Sequence, residues 1–241
     1  MKPKVNPLFF IYQWFVAFPV MLVITVFAAL FTIVFSPFSP NSNFVYAPVR
    51  WWGRMFCYVV FIRVKITGIE NIDPKQSYII AGNHQSWYDI FVLYGWLPVI
   101  FKWIMKAELH KIPLIGKACD SAGHIFMNRS NPIEAKKSLE KAEQQLQHGV
   151  SVVIFPEGTR TYSGKLQKFK RGAFHLATDL QLPILPFTIK GSFHCMPRTT
   201  FNVKPGLIEV QIHRPIDVKP YLPDHIQELI QTTWNDINSA L

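Results

Sequence analysis

Residues 78–89 read Tyr78-Ile79-Ile80-Ala81-Gly82-Asn83-His84-Gln85-Ser86-Trp87-Tyr88-Asp89. The first five suit a strand, Tyr78 to Gly82, and a helical pattern from Ser86 to Leu97 begins only a few residues later. A strand that turns into a helix across a short polar corner is the repeating unit of α/β architecture. Working outward, further β-rich runs occur at Val64 to Thr67, Ala122 to Met127, Val150 to Phe155, Ile184 to Ile189 and Leu207 to Ile212. Helical patterns lie between and after them, at Pro132 to His148, Gly172 to Leu180 and Asp224 to Ala240. The alternation predicts an α/β fold, a mixed, largely parallel sheet flanked by helices, whose ligands gather beyond the carboxyl ends of the strands.

The polar corner is the first place to look for chemistry. His84 and Asp89 stand five residues apart, about 140° around a continuous helix and on opposite faces of a continuous strand, so they meet only across a turn. With the strand ending at His84, an aspartate in the first helical turn can hold one imidazole nitrogen and leave the other as a general base. A blander description uses the same residues. Ser86-x-x-Asp89 imitates a capping box, with Asp89 serving the helix N-terminus and His84 idle in the loop. On these residues alone both descriptions stand.

Two more segments end strands with suitable groups. Phe155-Pro156-Glu157-Gly158-Thr159-Arg160 combines turn residues with a carboxylate and a guanidinium that can orient one another, Arg160 offering a planar fork to phosphate. Gly123-His124-Ile125-Phe126-Met127-Asn128-Arg129 delivers Arg129 to the carboxyl end of its strand. Lys165, Lys168, Lys170 and Arg171 follow as a basic cluster interrupted by Phe169. There is no G-x-S-x-G, so direct attack by a substrate hydroxyl fits better than a covalent intermediate. Cys57, Cys119 and Cys195 are widely spaced, and no histidine pair sits at helical spacing. Neither a disulfide framework nor a metal site is signalled.

The N-terminal quarter has a different character. No charged residue occurs from Leu8 to Phe35, a run of 28 residues interrupted by Gln13, Thr25 and Thr32; roughly 20 suffice to cross a bilayer. It is too long for the apolar region of a cleaved signal, and Pro19 near its middle admits a kinked, in-plane or re-entrant helix as well as a straight span. Phe44 to Ile62 mixes Trp51, Trp52, Tyr46 and Tyr58 with Arg50 and Arg54, as at headgroup depth. With Lys2 and Lys4 before the run and Arg50 and Arg54 after it, the two segments suggest a helical hairpin entering from the cytosolic side. The expected organisation is therefore a hydrophobic membrane anchor over residues 1–62 and an α/β domain over 63–241. The 241-residue chain carries a formal charge of +10 and only 17% charged residues. That balance favours anionic partners, and without a nucleic-acid-binding signature the anchor points to membrane phospholipid or an acidic carrier.

Taken together and in this order, the segments from about Tyr78 to Pro186 resemble the 1-acyl-sn-glycerol-3-phosphate acyltransferase (lysophosphatidic acid acyltransferase) family of glycerolipid acyltransferases, which carry an H-x-x-x-x-D motif. The resemblance implies His84 as base toward the glycerol hydroxyl and Asp89 as its orienting partner. It implies Gly123 and Arg129 of the second motif, and Glu157, Gly158, Thr159 and Arg160 of the third, as binding the glycerol phosphate, with Lys106 as a further phosphate contact. Leu182-Pro183-Ile184-Leu185-Pro186-Phe187 resembles the fourth motif, implying Pro183, Ile184 and Pro186 at the acyl donor or acyl chain. The implied reaction moves a fatty acyl group from coenzyme A or acyl carrier protein to the sn-2 hydroxyl of lysophosphatidic acid, forming phosphatidic acid. No cofactor or metal is implied. The implied location is a membrane, the bacterial inner membrane, with the catalytic domain facing the cytoplasm. Another lysophospholipid or a lyso-ornithine-type lipid as acceptor, and a non-catalytic anionic-lipid-binding protein, are the alternatives; oligomeric state is left open.

Overall fold

Strands β1 (Ile62–Thr67), β2 (Ile79–Gly82), β3 (Phe101–Lys106), β4 (Ile125–Met127), β5 (Ser151–Ile154), β6 (Ile184–Lys190) and β7 (Gly206–Ile212) form one sheet in the order β1-β7-β6-β2-β5-β3-β4. They belong to a computed structural model that describes residues 6–127, 149–221 and 225–241. Every pairing is parallel except β6 with β7. The carboxyl ends of β6, β2, β5, β3 and β4 therefore share one edge. The α/β expectation holds, and six of the seven strands fall on the predicted runs. The expected helix from Pro132 to His148, together with Arg129 and Asp224, lies outside the described residues.

The seventh strand, β3, went unread because Lys102 interrupts its apolar sequence. Lys102 is only 3% exposed, and its ammonium donates to the carbonyls of Ala122 (2.6 Å) and Pro40 (3.2 Å). Burial beside carbonyls alone pulls its pKa down to about 8.

Both faces of the sheet are covered, as a largely parallel sheet requires. Ile80, Val153, Leu185 and Phe187 face a core shared with α3 (Asn43–Tyr58) and α4 (Tyr88–Trp96), whereas Ile79, Ala81, Val152 and Ile184 face one shared with α6 (Gly172–Asp179) and α8 (Ile226–Ser239). Each fully buried large apolar side chain in these layers contributes about 1.5–3 kcal/mol. The shorter helices α5 (Ile115–Ser121) and α7 (Ser192–Cys195) follow a 3₁₀ turn (Ala107–Lys111) and β6 respectively. α3 crosses α4 closely because Gly53 has no side chain; a Cβ there would lie 2.4 Å from the Phe91 carbonyl oxygen. Pro186 is tolerated inside β6 because it pairs with β2 at Ala81 before the antiparallel ladder with β7 begins at Phe187.

The apolar N-terminal run forms α1 (Pro7–Tyr12), a π-helical turn Gln13–Ala17 and α2 (Phe18–Phe35), one continuous helix long and apolar enough to cross a membrane. Pro19 does not break it. The Phe18 N–H reaches back five residues to the Gln13 carbonyl, and Pro19 then occupies the first turn of α2, where its missing N–H costs little. The widened turn also aims Gln13 inward, where its amide donates to the Phe201 carbonyl (2.7 Å) and accepts from the Val203 N–H (2.9 Å). The inward residues Ala17 and Met21 join the core, while many of the other large side chains, Phe15, Leu22, Val23 and Phe27 among them, are exposed.

Candidate active site

The corner between β2 and α4 is built by four successive polar residues, Asn83 to Ser86, and one aspartate. Asn83 continues the sheet with its side chain: its amide donates to the Ile189 carbonyl (2.8 Å) and its oxygen accepts from the Ile189 N–H (2.7 Å). This fixes the chain leaving β2, so that His84 emerges at the carboxyl edge. His84 Nδ1 lies 2.8 Å from Asp89 Oδ2. The Asp89 side chain is fully buried and that of His84 is 13% exposed. The same Oδ2 accepts the N–H groups of Gln85 (2.6 Å) and Ser86 (2.8 Å), and the Ser86 hydroxyl accepts from the Tyr88 N–H at 3.2 Å. The dyad and the helix-start role of Asp89 thus coexist, and His84 is not idle: one carboxylate oxygen serves the helix start and the imidazole at once.

An aspartate accepting from Nδ1–H sets the tautomer in which Nε2 carries the lone pair. The ring is held flat against Phe155, centroids 3.8 Å apart and planes within 6°. Phe155 in turn meets Phe187 edge-on. With Nδ1 held by Asp89 and one face stacked on Phe155, the imidazole has one orientation, its Nε2 left open.

Glu157 sits at the carboxyl end of the neighbouring β5, on the loop that follows it. The expectation that it would orient Arg160 is corrected by the structure. Glu157 is buried and its two oxygens accept backbone N–H groups, His84 at 2.7 Å and Gln167 at 3.0 Å. The loop closes from the other side as well, the Thr161 N–H donating to the His84 carbonyl at 2.9 Å. Glu157 thus ties its own loop to the His84 corner. Burial pushes its pKa up, opposed by those two N–H groups. Arg160 instead lies over the Trp87 ring, 4.5 Å from its centroid. Gly158 forms the turn between them, its N–H donating to the Phe155 carbonyl.

The other expected residues are placed as follows. Thr159 is exposed, and its hydroxyl accepts from Arg198 Nη1 at 2.7 Å. Lys106 ends β3 on the same sheet edge and pairs with Glu108 at 2.8 Å in an exposed position. Gly123 precedes the buried His124, whose Nδ1 accepts from the Trp103 N–H (3.2 Å) and whose Nε2 meets the Tyr94 hydroxyl (2.8 Å). Burial, reinforced by Lys102, holds the His124 pKa down to about 3. It is a core histidine. Pro183, Ile184 and Pro186 start β6 at the opposite end from the corner, Ile184 packed among α6 and α8. From that segment it is Phe187 that comes near His84, through Phe155.

Sequence reading missed Asn83, whose strand-like role has no side-chain signature, and Trp87, which supplies the ring beneath Arg160. It also missed Arg198, a single arginine in the loop after α7 with no motif around it; its Nη1 also donates to the Arg160 carbonyl at 2.8 Å. Among the described residues no cluster of histidine, cysteine and acidic side chains could hold a metal ion.

The family model described as Acyltransferase matches residues 63–190. A chloroplastic 1-acyl-sn-glycerol-3-phosphate acyltransferase, LPAT1 of Arabidopsis thaliana, is 31% identical over 198 residues, 81% of this chain and 54% of that protein. The human 1-acyl-sn-glycerol-3-phosphate acyltransferase alpha is 35% identical over 175 residues, 71% of this chain and 61% of that protein. The chain therefore spans little more than half the length of these curated relatives. The crystal structure of the 1-acyl-sn-glycerophosphate (LPA) acyltransferase PlsC from Thermotoga maritima superposes with a TM-score of 0.80 at 28% identity, covering 98% of this chain and 94% of that one.

Proposed function

The chain belongs to the acyltransferase family, in its 1-acyl-sn-glycerol-3-phosphate acyltransferase branch, and from that premise we propose that it transfers a fatty acyl group from an acyl thioester to the sn-2 hydroxyl of lysophosphatidic acid, giving phosphatidic acid. The observation that carries the chemistry is the 2.8 Å contact between His84 Nδ1 and the buried Asp89. It leaves Nε2 to take the proton of the acceptor hydroxyl as that oxygen attacks the thioester carbonyl. The proton then leaves with the thiolate, and no enzyme-bound acyl group is needed. A positioned base of this kind is worth about 10²–10⁴ in rate.

Glu157 acts as a positioning residue that keeps His84 at the end of β2, and Arg160 binds the acceptor phosphate. Lys106 ends β3 on the same edge; it and the second-motif residues Gly123, which enters β4 at its amino end, and Arg129 are assigned the same headgroup. Pro183, Ile184 and Pro186 support the acyl side by shaping β6 and carrying Phe187. The donor is acyl-coenzyme A or acyl carrier protein, with no cofactor. Residues 1–62 act as the anchor and 63–241 as the catalytic domain, held at the cytoplasmic face of a bacterial inner membrane; the apolar outer side of the helix Pro7–Phe35 supports the membrane association. An amphiphilic acceptor then moves sideways from the leaflet to His84 without crossing water.

The test is product mass analysis with the purified full chain, lysophosphatidic acid and both donor types. Phosphatidic acid and free thiol in equal amounts are expected, and His84→Ala should abolish both while leaving the protein folded and membrane bound. Near-parental turnover by the folded variant would remove His84 as the base.

A further inference from the structure

Two arginines near the corner are held by rings. The guanidinium carbon of Arg160 lies 4.5 Å from the Trp87 ring centroid, and that of Arg198 lies 4.1 Å from the Tyr162 centroid. Neither forms an ion pair with a carboxylate among the described residues. A ring takes the face of a planar cation, so the N–H groups around its rim remain directed outward toward acceptors in the plane. Arg198 uses Nη1 on the Thr159 hydroxyl and the Arg160 carbonyl, at 2.7 and 2.8 Å. Its Nε and Nη2 meet no acceptor among the described residues, and the Arg160 guanidinium makes no hydrogen bond there.

The two cations are also close enough to oppose each other. Burial and then the neighbouring Arg198 lower the Arg160 pKa, with Asp89 acting the other way. Both side chains are half-buried, and Arg198 is fastened to the backbone of Arg160 itself. Two like charges so fastened repel when alone and are both satisfied around a dianion, whose oxygens accept from two forks at once.

We propose that Arg198 is a second anion-binding residue of this site, and that Arg160 and Arg198 together grip a phosphate monoester. The inference rests on the acyl-transfer reading above, which supplies two such groups: the headgroup of lysophosphatidic acid and the 3′-phosphate of coenzyme A. Both are dianionic monoesters, and one set of variants separates them.

The full chain, purified in detergent, is compared with Arg198→Gln and Arg198→Lys in two measurements. The first is steady-state turnover with lysophosphatidic acid and acyl-coenzyme A, and again with acyl-dephospho-coenzyme A. The second is calorimetric binding of lysophosphatidic acid and of coenzyme A without the other substrate. For a headgroup site, Arg198→Gln should raise the KM and Kd for lysophosphatidic acid about 10- to 100-fold, the loss of a charge-assisted contact, with kcat changed little. Arg198→Lys, which keeps the charge and loses the fork, should fall between. For a coenzyme A site the same rise should appear with acyl-coenzyme A and disappear with the dephospho donor. Unchanged KM and Kd for both ligands in the folded variants, or a fall in kcat alone, would overturn the proposal and leave Arg198 a brace for Thr159 and Arg160. If the parent turns over no lipid yet Arg198→Gln weakens monoester binding, the acyl-transfer reading fails and the paired-arginine site stands. If the parent is active and binding is indifferent to Arg198, the reverse holds.

Discussion

Replacing Asp89 by asparagine separates the two jobs of one carboxylate. Oδ2 accepts from His84 Nδ1, Gln85 N and Ser86 N at 2.8, 2.6 and 2.8 Å, whereas the buried Oδ1 has no hydrogen-bond partner. An asparagine with its oxygen at the Oδ2 position keeps all three acceptor contacts and places its NH₂ where Oδ1 was, leaving one buried donor unpaired at about 1–3 kcal/mol. The helix start and the imidazole tautomer are retained; the negative charge is lost. That charge matters when His84 becomes imidazolium. With charge centres about 4 Å apart and an effective dielectric near 20, the attraction is about 4 kcal/mol, or about 10³ in kcat at 1.36 kcal/mol per decade. Asp89→Ala, by contrast, removes the acceptor from two buried backbone N–H groups and should cost stability as well as rate. Thiol release from acyl-coenzyme A is followed for parent, Asp89→Asn and Asp89→Ala, beside denaturant unfolding of each. Asp89→Asn should lose about three decades of kcat with KM little changed and remain distinctly more stable than Asp89→Ala. A folded Asp89→Asn within tenfold of the parent rate would refute the reasoning, reducing Asp89 to a helix cap.

Two further outcomes concern the scaffold. His124 has a folded pKa near 3 against an unfolded value of about 6.5, so the unfolded chain binds the extra proton first as pH falls; the stability due to the neutral ring is full above pH 6.5 and drains away toward pH 3. Between pH 6.5 and 4.5 the parent should lose about 2 kcal/mol more than His124→Phe in denaturant titrations, and equal losses would contradict a buried neutral ring. Gln13→Leu should strand the Phe201 carbonyl and the Val203 N–H, so hydrogen exchange at the Val203 amide should quicken by at least about tenfold; an unaltered rate would mean the π-helical turn does not hold that loop.

Much of the architecture was legible because strand and helix periods alternate cleanly around residues 78–97. The exception, β3, is hidden by Lys102: a charge in an apolar run reads as surface, and its burial depends on carbonyls at Pro40 and Ala122 that are distant in sequence. At the site, spacing showed that His84 and Asp89 could meet only across a corner, and left open whether they did or whether Asp89 merely capped the helix. It could not tell that Glu157 would turn to backbone N–H groups, because those of His84 and Gln167 converge only after β2 and β5 pair. Arg198 was illegible for a related reason. Its partners, Thr159 and Tyr162, lie more than thirty residues upstream and nothing local distinguishes it from a surface cation.

The docking of the N-terminal helix has a practical side. Ala17, Met21, Tyr46 and Cys57 belong to the same apolar cluster as Ile80, Leu185 and Phe187 in the sheet, and Gln13 is stitched to the segment that carries Arg198. A shortened version beginning at residue 63, attractive for crystallisation or for soluble expression, would cut through the interior instead of trimming a tail. Biotechnological redesign should accordingly keep the inward-facing side of that helix and rewrite only its exposed apolar side with polar residues.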